Sequence, residues 1–257
     1  MHQEQRLEEI LHLLEERGNL TAKEMVLHFN VSKDTIRRDF SLLDRRGLVK
    51  RTHGGLLPLR NRAILSYLDR RGNQNTEKQA IADLALELIQ EEEFLFLDVS
   101  TTVSQLAQVL DKSVTVYSHS LDNALLLSGK EGIDFYLLGG KFYPKNRFYY
   151  SSQASETLKR VRFTTAFFGA ASLADGILSF EDEEDALLKK LAWEASQTKV
   201  LLAETKKFDC YSKYILAKLS ELDYWICEQK PEQAILDRLE GQVTILYPRK
   251  EENNDRN

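Results

Sequence analysis

Residues 31–39 read Val31-Ser32-Lys33-Asp34-Thr35-Ile36-Arg37-Arg38-Asp39, and Arg51-Thr52-His53-Gly54-Gly55 follows soon after. Ser32 stands where a helix N-cap belongs, because its hydroxyl can accept from the amides of the first turn. Ile36, Phe40 and Leu43 then fall on one face of the helix it opens. At about 100° per residue, Asp34, Arg38, Ser41 and Arg45 fall on the opposite face, with Lys33 and Arg37 toward its edge. The spacing therefore predicts a helix that buries one stripe and presents a polar, mostly cationic one. Leu48 to Thr52 reads as a strand after a stop at Gly47. Gly54-Gly55 reads as a tight turn of positive-φ residues, with Leu56-Leu57 returning.

Working back from that helix, Leu7, Ile10, Leu11 and Leu14 make one face of an amphipathic helix that ends near Gly18. Thr21 and Glu24 form a T-x-x-E capping box before a second helix burying Ala22, Met25, Val26 and Phe29. Asn30 suits a left-handed turn residue between the second and third helices. Three helices and a hairpin make a winged helix-turn-helix, whose third helix is shaped for the DNA major groove. A charged helix face can also be plain solvated surface, or part of a protein-docking module. The N-cap, the short turn and the basic wing together favour DNA.

Charge supports the same reading. The whole chain of 257 residues carries a formal charge of −5. Yet Ser32 to Arg60 holds eight basic and three acidic side chains, a basic head on an acidic body. With 42% hydrophobic and 29% charged residues, the composition is that of an ordinary globular protein. Its two cysteines, Cys210 and Cys227, lack metal-ligand spacing. The N-terminus has no apolar signal region, and the most apolar stretch, near 166–174, is too short to span a bilayer. A cytoplasmic location without membrane contact is expected.

The divisions expected are residues 1–57 for the winged helix-turn-helix and 58–75 for a linker. Residues 76–250 form an α/β domain and 251–257 a disordered tail. In the third segment a helix over 77–90 precedes the strand 94–97. Further strands are predicted at 114–117, 135–138, 165–168, 199–203, 224–227 and 243–246, with helices between most of them. Continuous apolar strands alternating with amphipathic helices predict a mostly parallel sheet covered on both faces. In such sheets ligands sit beyond the strands' C-terminal ends. There the chain places Asp98-Val99-Ser100-Thr101-Thr102, Ser118-His119-Ser120, Gly139-Gly140-Lys141 and Glu204-Thr205-Lys206-Lys207. Hydroxyls and free amides at a helix start can cradle a phosphate, and carboxylates can hold sugar hydroxyls. Each feature alone is more often a plain cap or turn. The G-x-G-x-x-G and G-x-x-x-x-G-K-[ST] fingerprints are missing, which disfavours dinucleotides and nucleoside triphosphates.

The run Val31-Ser32, Thr35 to Asp39, the Leu43/Gly47 spacing and Arg51 to Gly55 resembles the DeoR family of bacterial transcription regulators. Phe40 stands where that family usually has Leu. The resemblance implies a third helix in the major groove, with Ser32, Lys33, Thr35, Arg37 and Arg38 as contacts and Arg51 and His53 on the wing. Asp34 either pairs with Arg38 or accepts from a cytosine amine. Thr21 and Lys50 complete the DNA-contacting set. The family's second domain has a fold like ribose-5-phosphate isomerase and senses a phosphorylated sugar. It implies an effector set of Asp98, Ser100, Thr101, Thr102, His119, Gly139, Gly140, Lys141, Glu204 and Lys207. Four positions depart from the family pattern. Ser100 and Ser152 replace Gly, Ser118-His119-Ser120 replaces Thr-Asn-Ser, and Glu204 to Lys207 replaces Asp-x-Ser-Lys. His119 either reads a different hydroxyl pattern or is a satisfied histidine.

The expected function is that of a regulator, more specifically a repressor of sugar metabolism. It would pair with operator DNA, a sugar phosphate and further copies of itself as a dimer or tetramer. No cofactor, metal or catalytic residue is expected. Two alternatives stand beside it: a sugar-phosphate isomerase with a DNA-binding head, and a regulator whose altered pocket answers to a protein partner.

Overall fold

In the computed structural model the described residues are 3–17, 19–46, 48–52, 54–58, 67, 76–239 and 243–248. Gly18, Gly47, His53, the 251–257 tail and the linker except Pro58 and Tyr67 fall outside them. The chain folds as two units, Met1–Ala63 and Ile64–Asn257.

The first unit holds α1 (Gln3–Arg17), β1 (Leu20–Thr21), α2 (Ala22–Phe29), α3 (Lys33–Arg45), β2 (Val49–Arg51) and β3 (Gly55–Pro58). Leu7, Ile10 and Leu14 of α1, Met25 of α2, and Ile36, Phe40 and Leu43 of α3 close one core. The local signals work as read. The Thr21 hydroxyl accepts from Glu24 N while Glu24 accepts from Thr21 N, and Asn30 adopts φ 49°. Ser32 Oγ accepts from Thr35 N at 3.1 Å.

The wing differs from expectation in one respect. Neither Gly54 nor Gly55 takes a positive φ. Gly55 instead pairs with the unforeseen β1, where a Cβ would stand 2.1 Å from Leu20 O. Close backbone approach, not turn conformation, requires glycine there.

The second unit is built on a seven-stranded sheet. In chain order its strands are β4 (Phe94–Leu97), β5 (Val114–Ser118), β6 (Ile133–Leu137), β9 (Phe163–Phe168), β11 (Ser196–Leu202), β13 (Tyr224–Ile226) and β14 (Thr244–Leu246). They lie in the order β14-β13-β11-β9-β4-β5-β6, and the paired strands run parallel. One buried cluster joins Ile81 and Ala85 of α4 (Thr76–Glu87) to Leu106 of α5 (Thr101–Val109) and the sheet. On the other, Leu158 of α7 (Ser152–Leu158) and Trp193 of α8 (Glu183–Glu194) meet Phe96, Phe163 and Phe168. Among the described residues two short α-helices, α6 (Leu121–Leu127) and α9 (Gln233–Leu236), are also present.

Two antiparallel pairs were not foreseen. One is β7 (Lys141–Tyr143) with β8 (Phe148–Tyr150); the other is β10 (Ile177–Phe180) with β12 (Tyr214–Lys218). Their runs of three to five residues are too short for a clear alternating signal. From β4 the chain winds through β5 and β6 to one edge, then restarts at β9 toward the other. The order therefore reverses between β4 and β9, where α/β sheets open a crevice.

Candidate functional site

In the first unit α3 carries an exposed stripe of Asp34, Arg37, Arg38 and Arg45, with Ser41 beside them. Lys33 and Lys50 are exposed as well, while Thr35 is half-buried against the Ser32 hydroxyl at 2.9 Å. Two details were not foreseen. Asp34 lies 4.0 Å from Arg37 one turn on, which is the pairing seen in place of Arg38. Arg51 Nη1 donates to Ser41 Oγ at 2.8 Å, so the wing arginine braces the exposed face of α3. Thr21 is engaged in its capping box. Asp39, on the buried side, accepts from Arg6 of α1 at 2.6 Å. That hydrogen bond, working against burial, raises the Arg6 pKa above its ordinary value.

In the second unit the crevice at the strand reversal is a cleft lined by Val99, Ser100, Asn146, Asp182, Asp185 and Lys189, among others. Below it lies a fully buried polar network. Lys189 Nζ sits 3.0 Å from Asp98 Oδ1 and 2.7 Å from Asp185 Oδ2. It also lies 3.6 Å from the centroid of the Phe180 ring, a cation–π contact. The second carboxylate oxygen of Asp185 meets His119 Nε2 at 2.7 Å. Asp98 also accepts from Val99 N and Gly169 N, which ties the ends of β4 and β9 together.

Burial raises the Asp98 pKa, and the Lys189 charge only partly offsets it. Asp185 is just as buried, yet its pKa is lowered, because Lys189 and His119 together outweigh the burial. Asp98, His119 and Asp185 are grouped closely enough to ligate a cation. The Lys189 ammonium, however, bridges the two carboxylates and supplies that positive charge itself.

Ser100 alters the start of α5. Its Oγ accepts from the amides of Thr102 and Val103, both at 3.1 Å. Two amides expected free for a phosphate are therefore engaged. A glycine there would carry no oxygen to engage them. Thr101 and Thr102 themselves are buried.

The remaining expected residues lie elsewhere in the unit. Gly139 O accepts from Ser151 Oγ. Gly140 sits at φ +138° where a Cβ would strike Tyr150 O, and Lys141 is exposed with its Nζ 4.8 Å from the Tyr143 ring centroid. Glu204 is buried near Lys206 at 3.3 Å and Lys78 at 3.9 Å. Burial raises its pKa, but Lys207, Lys206 and Lys78 together bring it below the ordinary value. The contacts thus gather Asp98 and His119 into one network and place Glu204 in another.

Sequence reasoning missed Lys189, Asp185 and Asn146. A signal existed: Asp185 and Lys189 stand at i and i+4 on the face of α8 that also buries Ala186, Leu188 and Ala192. Two charges on an apolar face need one another.

Among the described residues no helix is long and apolar enough to cross a membrane. Both cysteines are buried.

Comparison with known proteins places these features. Residues 6–58 match the family described as the DeoR-like helix-turn-helix domain, and residues 73–229 match the DeoR C terminal sensor domain. The chain is 34% identical over 258 residues to the HTH-type transcriptional repressor GlcR of Bacillus subtilis (strain 168), covering 99% of this chain and 100% of that one. It is 31% identical to the lactose phosphotransferase system repressor of Lactococcus lactis subsp. lactis, over 96% and 99% of the two chains. A ribose 5-phosphate isomerase from Methanocaldococcus jannaschii gives 16% identity over 51% and 52% of the chains, at a TM-score of 0.38. That likeness is too loose to bear on chemistry.

Proposed function

This chain belongs to the DeoR family of DNA-binding transcriptional regulators, and on that premise we propose that it represses a sugar-metabolism operon. The observation that carries the DNA half is α3. Its capped N-terminus, buried apolar stripe and exposed Arg37, Arg38 and Arg45 suit base edges and phosphates at once. The names of the relatives support the second half, since both are repressors and one belongs to a sugar-phosphotransferase system.

A phosphorylated sugar binds at the C-terminal ends of β4, β5 and β9, in the cleft above the Asp98, Lys189, Asp185 and His119 network. His119 Nδ1 and Asn123 Oδ1, both buried, have no hydrogen-bonding partner among the described residues. Buried polar atoms of that kind are uncommon and suit a polar ligand. Binding shifts the balance between two states of the sensor, and operator affinity changes only if the effector prefers one of them. A homo-oligomer, dimer or tetramer, presents paired heads to operator half-sites in the cytoplasm.

The test is a panel of sugar phosphates on the wild-type chain. At least one compound raises Tm and releases an operator fragment selected from random duplexes. If none does either, the sensing assignment is wrong, while sequence-selective DNA binding stands on its own titration.

A further inference from the structure

Tyr67 is the one described residue between Pro58 and Thr76, and it belongs to the second unit just beyond Ala63. Its side chain is completely buried, in a small cluster with Val99 and Phe148, flanked by Tyr143 and Tyr150. Its backbone N–H donates to Lys145 O in the turn between β7 and β8. Both its ring and its backbone amide are thus anchored in the second unit.

Val99, Phe148 and the β7–β8 hairpin each connect Tyr67 to the cleft. Val99 lines it directly, one residue after Asp98. Phe148 packs edge-on against His119, with ring centroids 5.9 Å apart, and His119 bonds Asp185. The β7–β8 hairpin is tied to the approach to α8 by three side chains. Asn146 donates to Asp182 at 2.6 Å, Tyr143 donates to Glu184 at 3.0 Å, and Lys145 lies 3.9 Å from Glu181. Asn146, Glu181 and Asp182 all line the cleft. The hairpin and helix that line the cleft therefore also carry the surface on which Tyr67 rests.

We propose that Tyr67 is the positioning residue through which the cleft governs the connector to the DNA-binding unit. The proposal rests on reading the cleft as the effector site. Coupling is carried by one packed, two-sided contact: ring against Val99 and Phe148, backbone against the hairpin. Close-packed aromatic contacts of this kind repack between discrete arrangements and do not deform smoothly.

The test needs no metabolite. Affinity for the selected operator fragment is measured for the full-length wild type, Asn146→Ala, Tyr67→Ala and the double variant, with circular dichroism confirming that each is folded. Cutting the hairpin tie with Asn146→Ala should change operator affinity about three- to tenfold in the wild-type background, and leave it unchanged in Tyr67→Ala. Tyr67→Phe, which keeps the ring, should restore the response to Asn146→Ala. A purely structural tyrosine would lower stability without making the two substitutions non-additive. Equal shifts in both backgrounds, or no shift in the wild type, overturn the proposal. A coupling that passes this cycle in a chain deaf to every sugar phosphate would retain Tyr67 and remove only the sugar assignment.

Discussion

A Cβ placed on Gly169 would lie 2.2 Å from the Cβ of Ser100, so the two positions can hold only one side chain between them. The consequence reaches the head of α5, because the Ser100 hydroxyl caps two of its amides. Gly169→Ala should destabilise the second unit by about 1–3 kcal/mol through overpacking. Ser100→Gly alone should cost roughly a few tenths of a kcal/mol. Urea unfolding of both and of the double variant should show Ser100→Gly relieving much of the Gly169→Ala penalty. Ser100→Gly also frees the Thr102 and Val103 amides, so inorganic phosphate should raise its Tm more than that of the wild type.

On the DNA side, Arg38 and Lys50 are both exposed but differ in placement. Arg38→Ala, on α3, should lose discrimination between operator and scrambled duplex by about 1–3 kcal/mol. Lys50→Ala, on the wing, should weaken all sequences alike and lower the salt slope by about 1. Gel-shift titrations at two salt concentrations distinguish them. Matching losses on both duplexes for both variants would contradict the division of labour.

Arg6 and Asp39 join α1 to α3 beneath the DNA-contacting face. Asp39→Ala should cost about 3–5 kcal/mol, because it removes the carboxylate from a buried, hydrogen-bonded ion pair. Chemical denaturation of the full chain should show the loss in the first unit, together with loss of operator binding. A drop below about 1 kcal/mol would mean that water or another side chain already satisfies Arg6.

Lys189 supplies the positive charge for two buried carboxylates. Lys189→Met should destabilise by about 3–5 kcal/mol at neutral pH. The penalty should shrink as pH falls from neutral, because without the Lys189 charge burial favours the protonated, uncharged form of Asp98 and Asp185 and their mutual repulsion is lost. Thermal melts across that range check it, and a pH-independent penalty would show that lost packing dominates.

Glu204 has a folded pKa below its ordinary value of 4.5, held there by three lysines against the effect of burial. It therefore binds fewer protons folded than unfolded near that value. Its contribution to stability is present above about pH 4.5 and is lost as pH falls through the depressed folded value. Glu204→Gln should be less stable than wild type at pH 7, with the gap narrowing in acid. A constant gap from pH 7 to pH 3 would refute the assignment.

How much was legible in advance followed from the range of each interaction. Caps at Thr21 and Ser32, the left-handed Asn30 and the buried stripe of α3 are settled within one or two turns, so they could be read directly. The seven strands and their parallel pairing followed from the alternation of apolar strands and amphipathic helices, whereas their order in the sheet came only with the structure. The short hairpins β7–β8 and β10–β12 carried too few residues for a period to show.

The amino-acid sequence by itself determined the two architectures and the cationic helix, because hydrophobic period, capping and turn residues act on near neighbours. The tertiary structure alone decided which charges meet. His119 and Asp185 are 66 residues apart, and Asp98, Lys189, Phe148 and Tyr67 converge only when the sheet reverses direction. A buried charge selects its partner through geometry in three dimensions, since the cost of leaving it unpaired is paid wherever the fold happens to place it.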